Sequence, residues 1–148
     1  MKLKKLPLLG ATAVLAASLL ACGTKTATHT SFADGTYTGR SSDHEEDESG
    51  NGSGYGTVEL VIKDNRIASC TFTMYELDGT LKDDTYGADL SKENRLKAQK
   101  AVQSADKYAE MLVNGGTLDG VDAISGATIS YNEFIEAVND ALDKAALD

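Results

Sequence analysis

The sequence predicts an α+β fold: a twisted antiparallel sheet of about four to six strands with two helices packed on it, in a single small domain. Two patterns carry that prediction. In YGTVELVIKDNRIASCTFTMY (55–75), apolar residues alternate on either side of a two-residue turn, as in a half-buried β-hairpin. Beyond residue 91, apolar residues recur at three- and four-residue steps in two separate stretches, as in two amphipathic helices.

The domain is expected over residues 34–148. GTYTG (35–39) is a short strand with Thr and Tyr at β-favoured positions. RSSDHEEDESGNGSG (40–54) packs five acids into residues 43–48 and then turns to Gly, Ser and Asn. It has too little apolar surface to bury and reads as a mobile, acidic, solvated loop. Its acids lack the alternation of a calcium-binding EF-hand loop, and no metal site is assigned.

In the hairpin, Val58, Leu60 and Ile62 share one face, and Asp64-Asn65 makes the turn. Ala68, Cys70, Phe72 and Met74 form the apolar face of the returning strand. Residues 80–91 read as polar loop; any further strands would come from around 80–90 and 117–124.

Ser91 is placed to cap the first helix. Its stripe is Ala98, Ala101, Val102, Ala105, Tyr108, Ala109, Leu112 and Val113, and Asn114-Gly115-Gly116 supplies a left-handed stop. The second helix is expected from about Tyr131 to Ala146. Phe134, Ile135, Val138, Ala141, Leu142 and Ala145 form its stripe. Ser130 and Glu133 fit a capping box, and Ile129 and Phe134 a hydrophobic staple. These would pin the preceding loop to a helix entrance, with its free N–H groups and positive dipole end.

Residues 1–21 stand apart from this domain. Lys2, Lys4 and Lys5 precede an apolar run too short for a comfortable membrane span, which is the pattern of a secretory signal peptide. The run ends Leu19-Leu20-Ala21-Cys22, which resembles the lipobox of bacterial lipoproteins. That resemblance implies acylation of Cys22 and a lipid-anchored protein at the extracytoplasmic face of the cell membrane. Residues 22–33 then read as a flexible tether after the lipidated cysteine.

Three of the 14 basic residues and none of the 23 acids lie in residues 1–21, so residues 22–148 carry 11 bases and 23 acids, a formal charge of −12. Such an acidic body argues against nucleic-acid binding, which needs cations to displace counterions. With Cys22 acylated, Cys70 has no disulfide partner and reads as an inert core thiol. His29 and His44 lack metal-ligand company.

The loop DAISGATIS (122–130) is the remaining feature. It offers two hydroxyls, Ser125 and Thr128, and a helix-breaking Gly126, with no histidine or cysteine beside them to activate a nucleophile. A helix entrance favours a phosphate, and Gly126 permits close approach. Asp122-Ala-Ile-Ser125-Gly126-Ala127-Thr128 matches the pattern D-x-x-S/T-G-A-T/S. That pattern resembles the FMN-binding domains related to the periplasmic flavoprotein subunits of Na⁺-pumping quinone reductases and Rnf complexes. GTYTG, YGTVELVIKDNRI and VDAISGATISYNEFIEAVNDAL occur in the order typical of such domains, so the likeness covers residues 34–146.

The resemblance implies FMN as the cofactor, attached to Thr128 by a phosphoester bond through a flavin transferase that supplies the catalysis. No catalytic residue is assigned to the chain itself. Asp122, Ser125, Gly126 and Ala127 are implied as shaping and recognition residues around that attachment. The expected function is electron transfer between a membrane donor and an external acceptor rather than stand-alone enzymology; no G-x-G-x-x-G nicotinamide fingerprint is present. The alternative is a surface lipoprotein that binds a ligand or partner, or FMN reversibly, without redox chemistry. Tyr108, Tyr131 and Phe134 are aromatic candidates for the flavin's surroundings or for the core, and Tyr55 and Tyr75 stay open. The acidic loop departs from the family pattern, and its charge would lower the potential of a nearby flavin.

Overall fold

The structure, a computed structural model, describes residues 29–46 and 52–148. The expected signal peptide, Cys22 and residues 23–28 of the expected tether lie outside the described residues, as does the centre of the acidic loop. Three strands form one antiparallel sheet in the order β1 (Gly35–Arg40), β2 (Tyr55–Lys63) and β3 (Arg66–Tyr75). Two helices follow, α1 (Lys92–Gly115) and α2 (Thr128–Ala145), with a single 3₁₀ turn at Leu118–Gly120 between them. Both helices cover the same face of the sheet: α2 lies on β1 and β2, and α1 lies on β3. No helix among the described residues is long and apolar enough to cross a membrane.

The fold is α+β as expected, but the described sheet has three strands, not four to six. Residues 80–90 form successive turns with one isolated bridge, Tyr75 to Leu81, and 117–124 supply the 3₁₀ turn instead of a strand. The hairpin is as predicted. Asp64 and Asn65 have φ of 51° and 59°, the two left-handed residues that a tight hairpin turn requires. A register shift at Val61/Ile62 changes the face, however. Ile62 pairs with Ile67 while Val61 pairs with Ser69, so Ala68 is the extra residue of a bulge. Ile67 is therefore buried and Ala68 is exposed, the reverse of strict alternation. Cys70 is half-buried, and desolvation pushes its thiol up to about 12, so it stays protonated and unreactive.

Ser91 caps α1 by accepting from the Asn94 N–H, and Gly116, at φ 73°, ends it by donating to the Leu112 carbonyl. All six predicted stripe residues of α2 are buried. Two glycines let α2 lie this close to the sheet. A β-carbon on Gly39 would meet the Ala137 carbonyl at 1.9 Å, and one on Gly56 would stand 3.1 Å from the Glu133 Cβ. Phe134 lies at the centre, 5.0 Å edge-on from Phe72 and 5.7 Å stacked against Tyr108. The edge of β1 is closed by α2 as well: the Arg40 N–H donates to Asp140 at 2.9 Å, and Lys144 donates to the Thr38 carbonyl at 2.8 Å.

Residues 29–33, expected at the domain end of the tether, are fastened to the end of α2. Ala33 N–H donates to the Ala145 carbonyl and Leu147 N–H to the Ser31 carbonyl, and Asn65 at the hairpin turn accepts from Phe32 N–H at 2.7 Å. His29 lies between Asp143 and Asp148.

The bulge predicts a contrast between neighbours. Ile67→Ala is expected to cost about 2–5 kcal/mol as a core truncation, and Ala68→Ser to stay within about 0.5 kcal/mol as a surface change. Urea unfolding of the two variants checks this; equal effects would contradict the bulge.

Candidate functional site

The loop before α2 is held by a tight turn. Ala127 N–H donates to the Ile124 carbonyl at 2.9 Å across Ser125 and Gly126, and Gly126 has φ 80°. A left-handed third residue is what a type II turn requires, and glycine adopts it without strain. The turn leads directly into α2, because the Ala127 carbonyl already accepts from Tyr131 N–H at 3.0 Å. From below, the buried Tyr108 hydroxyl clamps the loop: it accepts from Ile124 N–H at 3.0 Å and donates to the Ala127 carbonyl at 3.1 Å.

This start overturns the expected cap. α2 begins at Thr128, about three residues earlier than predicted, with Ala127 as its N-cap. No side chain caps it, and its first turn carries no acid. Ser130 and Glu133 do not form a capping box, and Ile129 and Phe134 do not occupy the staple positions. Instead Ser130 and Glu133 lie on the inner face of the first two turns, both buried. The consequence is electrostatic. The N–H groups of residues 128–130 have no intrahelical partner and the dipole end carries no compensating side chain, an arrangement suited to an anion.

A cleft of about 660 Å³ opens beside this entrance, within the usual size of small-molecule sites. Gly126, Ala127 and Thr128 form one wall, with the Thr128 side chain exposed. The opposite wall is the first half of the α1 stripe: Ala98, Ala101 and Val102 are only half-buried because they line the cleft instead of the core. Asp122 and Ser125 are exposed and are not part of the cleft lining. Lys97 lines the mouth, and a β-carbon on Gly126 would come 3.2 Å from the Lys100 ammonium, so cations flank the helix entrance of an acidic chain.

The inner end of the cleft is polar, and the sequence pattern did not single it out. Lys82 and Tyr86 reach it from the 80–90 turns, with the Lys82 ammonium 5.1 Å from the centre of the Tyr86 ring. Glu133 closes it from α2, 1 % exposed, its Oε1 without a hydrogen-bond partner among the described residues. Burial raises the Glu133 carboxyl above its ordinary range, against the opposing pull of Lys82 and His44. Burial likewise lowers Lys82, against the pull of Glu133 and Glu76. A helical wheel carries the signal for Glu133, which shares the inward face with Ala137 and Ala141 one and two turns on.

The aromatic candidates divide. Tyr108 and Phe134 are fully buried core residues, and Tyr131 packs against Tyr108 with rings 5.8 Å apart. Tyr55 and Tyr75 stack on each other at 5.3 Å, with the Arg40 guanidinium over Tyr55, and do not line the cleft. A shallower concavity of about 450 Å³ lies over the sheet, lined by residues such as Thr38, Thr57, Thr71 and Thr73. No cluster of three or more His, Cys, Asp or Glu able to hold a metal ion occurs among the described residues.

Glu133 sets a pH dependence. Its folded pKa lies above the unfolded value of 4.5, so the native state holds the proton more tightly. Its contribution is fully present below the unfolded pKa and is lost as pH rises through the folded one, with a slope of at most about 1.4 kcal/mol per pH unit. Urea unfolding from acid to neutral pH is expected to show wild type losing stability relative to Glu133→Gln across that window. Parallel profiles would contradict the raised pKa.

The sequence matches the family model described as FMN-binding domain over residues 51–143. No curated protein matches the chain. A crystal structure of the CPE2226 protein from Clostridium perfringens shares the fold, with a TM-score of 0.56 and 19 % identity over 77 % of this chain and 88 % of that one. The family match spans well over half of the sequence: the chain belongs to the FMN-binding domain family, and FMN is its cofactor.

Proposed function

We propose that the chain is a lipid-anchored, extracytoplasmic flavoprotein that carries electrons through FMN bound at the cleft and joined by a phosphoester to the Thr128 hydroxyl. One observation carries this reading. Thr128 is exposed as the first residue of an uncapped helix, on the wall of a cleft whose far side is an unpartnered apolar stripe. The residues present fit the cofactor. The amides of 128–130 with Lys97 and Lys100 suit a phosphate, the α1 stripe suits a planar ring, and the unpaired Glu133 oxygen waits for a polar partner.

The chain's own part is to present and hold. Thr128 would offer its oxygen to the FMN phosphorus of a flavin adenine dinucleotide brought by the transferase; the pyrophosphate bond would break, AMP would leave, and the hydroxyl proton would pass to a base of the transferase. No base is needed within the chain, and neither histidine lines the cleft. The exposed Asp122 precedes the turn and the exposed Ser125 stands within it, where a transferase would read them, and the buried Ala127 keeps the approach to Thr128 short. FMN supplies one- and two-electron redox chemistry, while the cleft sets its position and electrostatics.

The same reading orients the domain. A lipid on Cys22 would pull at residues 29–33, which are fastened to the end of α2. Thr128 is at the other end of that 18-residue helix, about 27 Å away. The anchored domain would then turn its cleft away from the lipid attachment, toward an external electron acceptor.

The test is co-expression with a flavin transferase in exported form, followed by denaturing electrophoresis and flavin fluorescence. A fluorescent band in wild type that is lost in Thr128→Ala is expected. A dark wild-type band, with the transferase active on a control substrate, would sink covalent attachment and leave reversible FMN binding.

A further inference from the structure

We propose that Lys82 and Glu133 form the ring-recognition end of the FMN cleft, with the carboxyl of Glu133 and the ammonium of Lys82 taking the hydrogen-bonding edge of the flavin ring. The inference rests on the cleft being the FMN site, and goes beyond it by assigning the residues that read the ring.

The Glu133 carboxyl is the starting point. A buried polar atom without a partner costs about 1–3 kcal/mol, and native proteins keep few of them. Glu133 is 1 % exposed, its Oε1 has no hydrogen-bond partner among the described residues, and it lines the cleft. The chain makes room for it, because a β-carbon on Gly56 would stand 3.1 Å from the Glu133 Cβ.

Lys82 is the second observation. It is 9 % exposed, lines the same cleft, and carries the charge that would neutralise Glu133. Yet no hydrogen bond or ion pair joins the two. Opposite charges buried in one cleft and kept apart leave room between them for a group that both donates and accepts. The pyrimidine edge of a flavin does so, with an imide N–H between two carbonyls: a carboxylate oxygen accepts from the N–H, and an ammonium donates to a carbonyl. The other groups around Glu133 do not fill that role. His44 draws Glu133 toward charge but does not line the cleft, and its Nε2 stands 3.7 Å from Glu136, which repels Glu133; Glu76 acts on both Lys82 and Tyr86, and Glu46 on Tyr86; and α1 contributes Asn94, Lys97, Ala98, Ala101 and Val102 to the lining.

The spacing agrees. Glu133 is five residues beyond Thr128, about 7.5 Å along the axis of α2. A ligand with its phosphate at the helix entrance would extend its ring past Ala101 toward Met74, Lys82 and Glu133, all on the cleft wall. Apolar walls with a few convergent polar groups at one end are the usual anatomy of a site for a planar cofactor.

The test titrates FMN, and FMN methylated at the imide nitrogen, into the flavin-free full chain. Wild type is compared with Glu133→Leu, Lys82→Met and Ala101→Phe, and thermal unfolding of each flavin-free chain is recorded. Each single replacement leaves the other buried charge without its counterweight and is expected to lower the melting temperature of the flavin-free chain, while the double variant Glu133→Leu/Lys82→Met recovers it; each replacement, single or double, weakens FMN binding roughly 10- to 100-fold. Wild type is expected to reject the methylated flavin, and Glu133→Leu to bind both alike. If Ala101→Phe abolishes binding while Glu133→Leu and Lys82→Met bind as wild type, the ring-reading assignment is wrong and the cleft stands. If all three bind normally, the cleft is not the FMN site. A wild type that binds no free FMN also overturns the proposal, since a ring edge held by two buried polar groups needs no covalent link to bind.

Discussion

The Tyr108 hydroxyl organises the site. It is fully buried on α1 and spends both of its hydrogen-bonding roles on the loop before α2, accepting from Ile124 N–H and donating to the Ala127 carbonyl. That pair of bonds ties the two helices together at the point where the chain turns. It brings the Gly126 turn directly against the first residue of α2, so that Ala127, a residue without a capping side chain, stands at the N-cap. An uncapped entrance beside a cleft follows from this local arrangement. The exposed Thr128 hydroxyl follows as well, because Thr128 is then the first helical residue rather than part of a loop.

Electrostatics work along the length of the cleft. The chain is strongly acidic, yet lysines gather at the helix entrance, where amides and dipole already favour an anion. The far end holds an acid and a base that burial drives toward their neutral forms while each draws the other toward charge. Between them lies a wall of small apolar side chains. A cofactor with a charged end, an apolar body and a polar edge matches that sequence of environments, and FMN is such a cofactor. In the proposed orientation the anchoring end of the domain and the redox end are the two ends of α2, which separates attachment from electron exchange.

Much of this was legible in the residues, and the failures have physical causes. The hairpin was readable because Asp64-Asn65 tolerate left-handed geometry and the flanking alternation is regular. The bulge was not, since Ala68 and Ile67 are both apolar and either parity fits. Strands sought in 80–90 and 117–124 are absent from the described residues because those segments form turns and a 3₁₀ turn. Ser130 and Glu133 have the spacing of a capping box, but α2 starts directly after the turn closed by Ala127, which places both residues on its inner face. The spacing of apolar residues in α1 marks a stripe but not what the stripe faces. Periodicity reports that a face is apolar, and only the tertiary structure shows that Ala98 and Ala101 face a cleft in place of the core. The motif containing Thr128 was the clearest functional signal, and Lys82, Tyr86 and Glu133 the least visible, because they meet from segments far apart in the chain.

The central claim is that FMN occupies the cleft between α1 and the start of α2. Amide hydrogen exchange on the chain with and without FMN tests it most directly. Added protection is expected at residues 126–130 and 98–102, with the amides around Lys82 following. Protection confined to the open face of the sheet, around Thr57, Thr71 and Thr73, would contradict the account and move the cofactor to the other side of the molecule.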